Sequence, residues 1–120
     1  INSTIPGLPV IFYGDEIGMP GGNDPDCRRM MKFESLNEQE IKLKREVSYL
    51  LKLRSSSLSL IYGDLDWTEV SDHRLVYSRS YGDEKVTIYI NKDAEPQEFN
   101  HNGLTFELNP YTYKIFKNKR

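Results

Sequence analysis

From residue 58 onward the chain consists of short runs in which apolar and polar residues alternate. Val86, Ile88 and Ile90 alternate with Lys85, Thr87 and Tyr89, the period of two that a half-buried strand requires. Leu104, Phe106 and Leu108 repeat the pattern. Gly82-Asp83 and Asn102-Gly103 fall between such runs and read as hairpin turns. The spacing predicts strands at about 58–62, 65–70, 74–81, 85–91, 97–99, 104–108 and 111–116, with Pro110 breaking the chain before the last. Strands this short and this closely spaced make an antiparallel sandwich or a small barrel.

Residues 1–57 have a different character, so the chain as a whole reads as α+β with a boundary in the Ser55-Ser56-Ser57 linker. Leu8 to Tyr13 is a nearly continuous apolar run ended by Gly14, which suits a strand buried on both faces, as in a parallel sheet. Residues 18–26 hold three glycines and two prolines and are predicted to be a shaped loop. A loop placed directly after a buried strand is where α/β proteins carry their ligands. A helix is predicted from Asn37 to Arg54, with Asn37 as N-cap and Glu40 closing a capping box. Leu36, Leu43, Val47, Leu50 and Leu51 share one arc of it, opposite Glu38, Lys42, Arg45 and Lys52.

Composition narrows the partners. The net charge is −2 over 120 residues, and neither half carries a sustained basic tract, which argues against nucleic acid. The longest apolar run, Leu8–Tyr13, is far short of the roughly 20 residues that a membrane-spanning helix needs. Cys27 is the single cysteine, so an internal disulfide or a cysteine-built metal site is not expected. The first residues, Ile1-Asn2-Ser3-Thr4, carry no Met and no signal pattern, and read as the interior of a longer polypeptide.

Specific motifs lie in residues 4–29. Thr4-Ile5-Pro6-Gly7-Leu8-Pro9-Val10-Ile11-Phe12-Tyr13-Gly14-Asp15-Glu16-Ile17-Gly18-Met19 resembles the eighth barrel strand of the α-amylase family, glycoside hydrolase family 13. Gly22-Asn23-Asp24-Pro25-Asp26-Cys27-Arg28-Arg29 resembles the loop that follows it in neopullulanases, cyclomaltodextrinases and maltogenic amylases. Residues 108–116 are similar to the last strand of that family's C-terminal sandwich. Many relatives carry Pro after the paired arginines, where this chain has Met30, a change at the loop exit. The resemblance implies that residues 1–57 are the last strand–loop–helix unit of a (β/α)8 barrel and residues 58–120 an all-β antiparallel sandwich, the amylase C-terminal domain.

The same resemblance implies a retaining hydrolase of α-1,4 and, as a further option, α-1,6 bonds in maltodextrins, cyclodextrins or pullulan. Its aspartate nucleophile, glutamate acid/base and stabilising aspartate would lie upstream of Ile1, so the chain is expected to hold no catalytic residue and to be inactive unaided. Asp15-Glu16 is a tempting substitute. Retaining chemistry needs carboxyls about 5 Å apart across the scissile bond, and consecutive residues at a strand end diverge. Their expected role is to brace the barrel mouth through loop backbone. The resemblance places Asp24 and Arg28 against glucose hydroxyls, where planar, rigidly held donors and acceptors suit vicinal diols. The alternative for this pair is a solvated loop in which Arg28 simply pairs with Asp24. Arg29 and Asp26 are expected to be structural partners.

Other residues suggest less. His73 and His101 lie far apart and form no ligand cluster, so no metal site and no cofactor are expected in the chain, although calcium remains open for a parent enzyme. Trp67 with Tyr62 and Tyr77 has the make-up of a sugar-stacking platform, but aromatics on strands more often serve as core or cross-strand pairs. Two other functions stay open: a freestanding glucan-binding β-module, and a non-catalytic amylase-like heavy subunit of an amino-acid transporter. The expected partner is an α-glucan oligosaccharide, with no nucleic acid and no membrane. Without barrel neighbours, strand 8–13 would leave two edges unpaired and the helix would expose its leucines, which predicts weak amide protection over residues 1–55 or pairing with a second copy in a homodimer.

Overall fold

A computed structural model describes residues 1–119. They divide into two compact units, Ile1–Ser56 and a second that begins at Ser57.

The first unit is built around helix α1, Glu38–Ser55. Its start is the predicted capping box: Asn37 Oδ1 accepts from Glu40 N at 2.9 Å, and Glu40 Oε2 accepts from Asn37 N at 2.7 Å. Lys32 Nζ lies 2.8 Å from Glu40 and reinforces it. The apolar arc is covered only in part: Leu36, Val47, Leu50 and Leu51 are half-buried and Leu43 is exposed. The residue that α1 buries most deeply is Arg54, whose guanidinium donates to the carbonyls of Ser3 (3.0 Å), Ile5 (2.9 Å) and Gly7. One side chain thus satisfies three loop carbonyls that no ladder reaches.

The strand expected at 8–13 does not form in this unit. A strand needs a neighbour for its N–H and C=O groups, and here only local partners serve: Asn2 Nδ2 donates to Val10 O and Phe12 N donates to Asp15 Oδ2. The run is irregular chain: Leu8 and Val10 are 91% and 73% exposed and Phe12 and Tyr13 are exposed too, while Pro9 and Ile11 are half-buried.

The second unit opens with another correction. Residues 58–62, read as a strand, are the short helix α2, Leu58–Tyr62. A five-residue apolar run does not distinguish helix from strand by period alone, and what selects helix is distant in sequence. Glu84 Oε1 accepts from Ser59 N at 3.0 Å and from the Ser57 and Ser59 hydroxyls, capping α2 from a neighbouring strand. Gly63 ends the helix where a Cβ would stand 2.7 Å from Ser80 O and collide with Ser59 O.

Six strands follow: β1 (Asp64–Val70), β2 (Arg74–Tyr81), β3 (Glu84–Asn91), β4 (Gln97–His101), β5 (Leu104–Leu108) and β6 (Tyr113–Lys119). They form a four-stranded sheet of order β1-β2-β3-β6 and a β4-β5 hairpin, all antiparallel. Asn102 and Gly103 both adopt positive φ (51° and 86°), the geometry that a two-residue hairpin turn demands. The last strand starts two residues later than the sequence suggests because Tyr111 is turned to φ 56°. The hairpin packs on one face of the sheet, where Val76 and Tyr89 meet Phe99 and Leu108. Tyr89 is the hub, with the Phe99, Phe106 and Phe116 rings edge-on at 5.2–5.8 Å. Contrary to the half-buried reading of β3, Val86, Thr87, Ile88 and Tyr89 are buried in succession, so this strand is covered on both faces.

Candidate functional site

The loop carrying the residues singled out from sequence spans 14–29. Gly14 and Gly18 take left-handed conformations (φ 94° and 67°) on either side of the Asp15–Ile17 turn, reversing the chain tightly enough to bury Ile17. Both carboxylates of that turn bind backbone: Asp15 Oδ2 accepts from Phe12 N at 3.0 Å, and Glu16 Oε2 from Gly14 N at 2.8 Å. Asp15 also lines a cleft of about 220 Å³ with Phe12, Tyr13, Met19, Cys27 and Arg29.

The second turn, Asp26–Arg28, brings two ion pairs side by side. The Arg29 guanidinium grips Asp26 with two bonds, 2.7 and 2.9 Å long, and Asp26 Oδ2 also accepts from Gly22 N. Those hydrogen bonds hold the Asp26 carboxyl below its usual range, and the carboxylate raises Arg29 in return. Tyr13 anchors the same point by donating to Arg29 O at 2.9 Å. The second pair, Arg28 Nε to Asp24 Oδ1 at 3.0 Å, is left on the surface with side chains 75% and 63% exposed. A forked, bidentate pair therefore fixes the loop, and a second carboxylate–guanidinium pair is presented to solvent.

The aromatic platform considered from sequence does not assemble as one surface. Trp67 packs on Tyr77 at 5.1 Å, and Tyr77 is fully buried, while Tyr62 pairs with Tyr81 at 5.8 Å. His73 Nδ1 lies 2.8 Å from Asp93, and His101 stacks on Phe116 with its Nδ1 2.9 Å from the Tyr89 hydroxyl. Sequence reasoning missed Glu84. Burial alone would raise its carboxyl, but hydrogen bonds from Ser57, Lys117 and Ser59 outweigh that and hold it at about 2. Glu84 looks like any turn-flanking acid in the sequence, and no local pattern marks it.

No protein-family model matches the chain. Among curated proteins, it is 41% identical over 97 residues to a cyclomaltodextrinase of Geobacillus thermopakistaniensis, covering 79% of this chain and 16% of that protein. It is 34% identical over 120 residues to a maltogenic α-amylase of Bacillus acidopullulyticus, covering 97% of this chain and 20% of the relative. The chain matches the C-terminal part of α-amylase-family (glycoside hydrolase family 13) enzymes. Solved family 13 structures agree. The α-amylase of Geobacillus thermoleovorans complexed with acarbose superposes with a TM-score of 0.81 at 28% identity, over 97% of this chain and 31% of that one. The maltogenic amylase from S. marinus gives 0.82 at 26% identity, over 97% and 18%. The antiparallel sheets correspond to an amylase C-terminal β-domain. The chain spans about a fifth or less of the length of these curated relatives.

Proposed function

We propose that the chain works as the C-terminal part of a longer, retaining α-glucan hydrolase that cleaves α-1,4 and, as a second class, α-1,6 bonds of maltodextrins, cyclodextrins or pullulan. In this reading residues 1–57 complete the catalytic (β/α)8 barrel and residues 58–120 form the β-domain that supports it. The observation that carries it is 34% identity over 120 residues, a match that covers 97% of this chain. The catalytic carboxylates belong to the remainder of the enzyme, and the chain alone hydrolyses nothing. Asp15 and Glu16 hold the loop backbone. Asp24 and Arg28 bind the sugar: an exposed carboxylate and guanidinium already held 3.0 Å apart can exchange their mutual bond for bonds to two adjacent hydroxyls with little side-chain reordering.

Kinetics of the full-length gene product on maltotetraose test this. Asp24→Ala and Arg28→Ala are each expected to lower kcat/KM by about tenfold or more, as the loss of a charge-assisted hydrogen bond implies, mainly through KM. Unchanged kinetics in both variants would assign the pair to the solvated loop instead.

A further inference from the structure

The face of the four-stranded sheet that receives the β4-β5 hairpin is covered over only part of its length. The apolar part lies beneath the hairpin, around Val76 and Tyr89. Further along the same strands the side chains become polar. The register sets Ser78 opposite Thr87, Ser80 opposite Lys85, and Lys85 opposite Asn118, and period-two alternation puts all five on the face of Val76 and Tyr89. Asn100, His101 and Asn102, at the hairpin's tip, wall the space, which measures about 600 Å³ and lies within the range of small-molecule sites.

A second observation points to an occupant. Ser78 is 2% exposed, lines this groove, and its hydroxyl has no hydrogen-bond partner. A buried hydroxyl left unpaired lowers stability, and a β-strand position facing a core is ordinarily filled by an apolar residue. The surrounding chemistry limits what can satisfy it. Hydroxyls and amides that both donate and accept dominate the lining; Lys85 is balanced by Asp83, and Glu84 is already paired with Lys117, so no excess charge of one sign awaits a phosphate or an ammonium ion. The Val76 and Tyr89 side chains supply an adjoining apolar floor.

We propose that this groove is a binding site for a neutral oligosaccharide, whose hydroxyls pair with Ser78 and Asn118 and whose C–H faces rest on Val76 and Tyr89. The groove shares no residue with the Asp24–Arg28 loop, and only the choice of an α-glucan as ligand rests on the function proposed above.

Titration of the isotope-labelled 120-residue chain with maltohexaose, followed by amide NMR shifts, tests it. Saturable shifts centred on Ser78, Thr87 and Asn118 are expected. Ser78→Ala should weaken binding about fivefold, the value of one hydrogen bond. Ser80→Trp, at the exposed rim, should abolish binding while the spectrum stays dispersed, and Trp67→Leu, on the opposite face, should leave affinity unchanged. No shifts at millimolar sugar would mean that only water fills the groove, and would overturn the proposal. So would binding that survives Ser80→Trp but is lost in Trp67→Leu. Hydrolysis plays no part in this readout: an inactive parent leaves the titration result standing, and a silent groove leaves the kinetics of Asp24 and Arg28 untouched.

Discussion

Replacing Glu84 with Gln removes a charge from a site where four donors converge. Its Oε1 takes the Ser57 hydroxyl, Ser59 N and the Ser59 hydroxyl, and its Oε2 lies 2.9 Å from Lys117 Nζ. A carboxyl held at about 2 rather than 4.5 corresponds to ~3 kcal/mol at full effect, and solvent reaching the Lys117 side reduces this to about 1–2 kcal/mol. Because the folded-state value is depressed, this stability is fully present above pH 4.5 and is lost as the pH falls towards 2. Trp67, the only tryptophan, lies in β1 of the same unit and reports its unfolding. Urea titrations followed by Trp67 fluorescence at pH 7 should show Glu84→Gln destabilised by about 1–2 kcal/mol. The gap between variant and wild type should close between pH 4.5 and 2. Equal stability at pH 7, or a gap that persists undiminished at the lowest pH, would refute the idea that this carboxylate caps α2 and ties β3 to β6.

Arg54→Met keeps the length of the side chain but leaves the carbonyls of Ser3, Ile5 and Gly7 without their donor. It should cost about 2–3 kcal/mol locally and open residues 1–13 to chymotrypsin well before α1 is cut. Gly63→Ala drives a methyl into Ser59 O and Ser80 O, and a loss of about 1–3 kcal/mol in the Trp67-monitored transition is expected. Asn37→Ala breaks the capping box and should reduce α1 stability by ~1 kcal/mol, read as a lower helix melting midpoint by far-UV circular dichroism.

Local rules made much of this structure legible. The Asn37–Glu40 box and the Asn102-Gly103 turn depend on neighbours a few residues away and are legible in the sequence, as is the strand around Val86, though not its burial on both faces. The errors arose where a distant residue decides. Residues 58–62 are helical because Glu84 caps them and Gly63 stops them, and nothing within the five residues signals either fact. Residues 8–13 have the composition of a buried strand, but pairing is a property of two segments, and no second segment is supplied among the described residues. In the loop, the sequence named Asp24, Asp26, Arg28 and Arg29. It already set Asp26 and Arg29 apart as structural partners and offered a solvated Arg28–Asp24 pair; what it could not reveal is the geometry, the two-bond Asp26–Arg29 fork with Gly22 N on Asp26. The polar groove beside the β4-β5 hairpin was equally hidden. Ser78 reads as an ordinary polar position until its strand is seen to be buried on both faces.

The most direct test of the central claim is hydrolysis of maltohexaose followed by the anomeric proton signals, with the full-length gene product and the 120-residue chain assayed at equal molarity. The account predicts that the gene product releases shorter maltooligosaccharides that appear first as the α-anomer, and that the chain alone releases none. A gene product that leaves maltohexaose intact, products that appear first as the β-anomer, or cleavage by the chain by itself would contradict it.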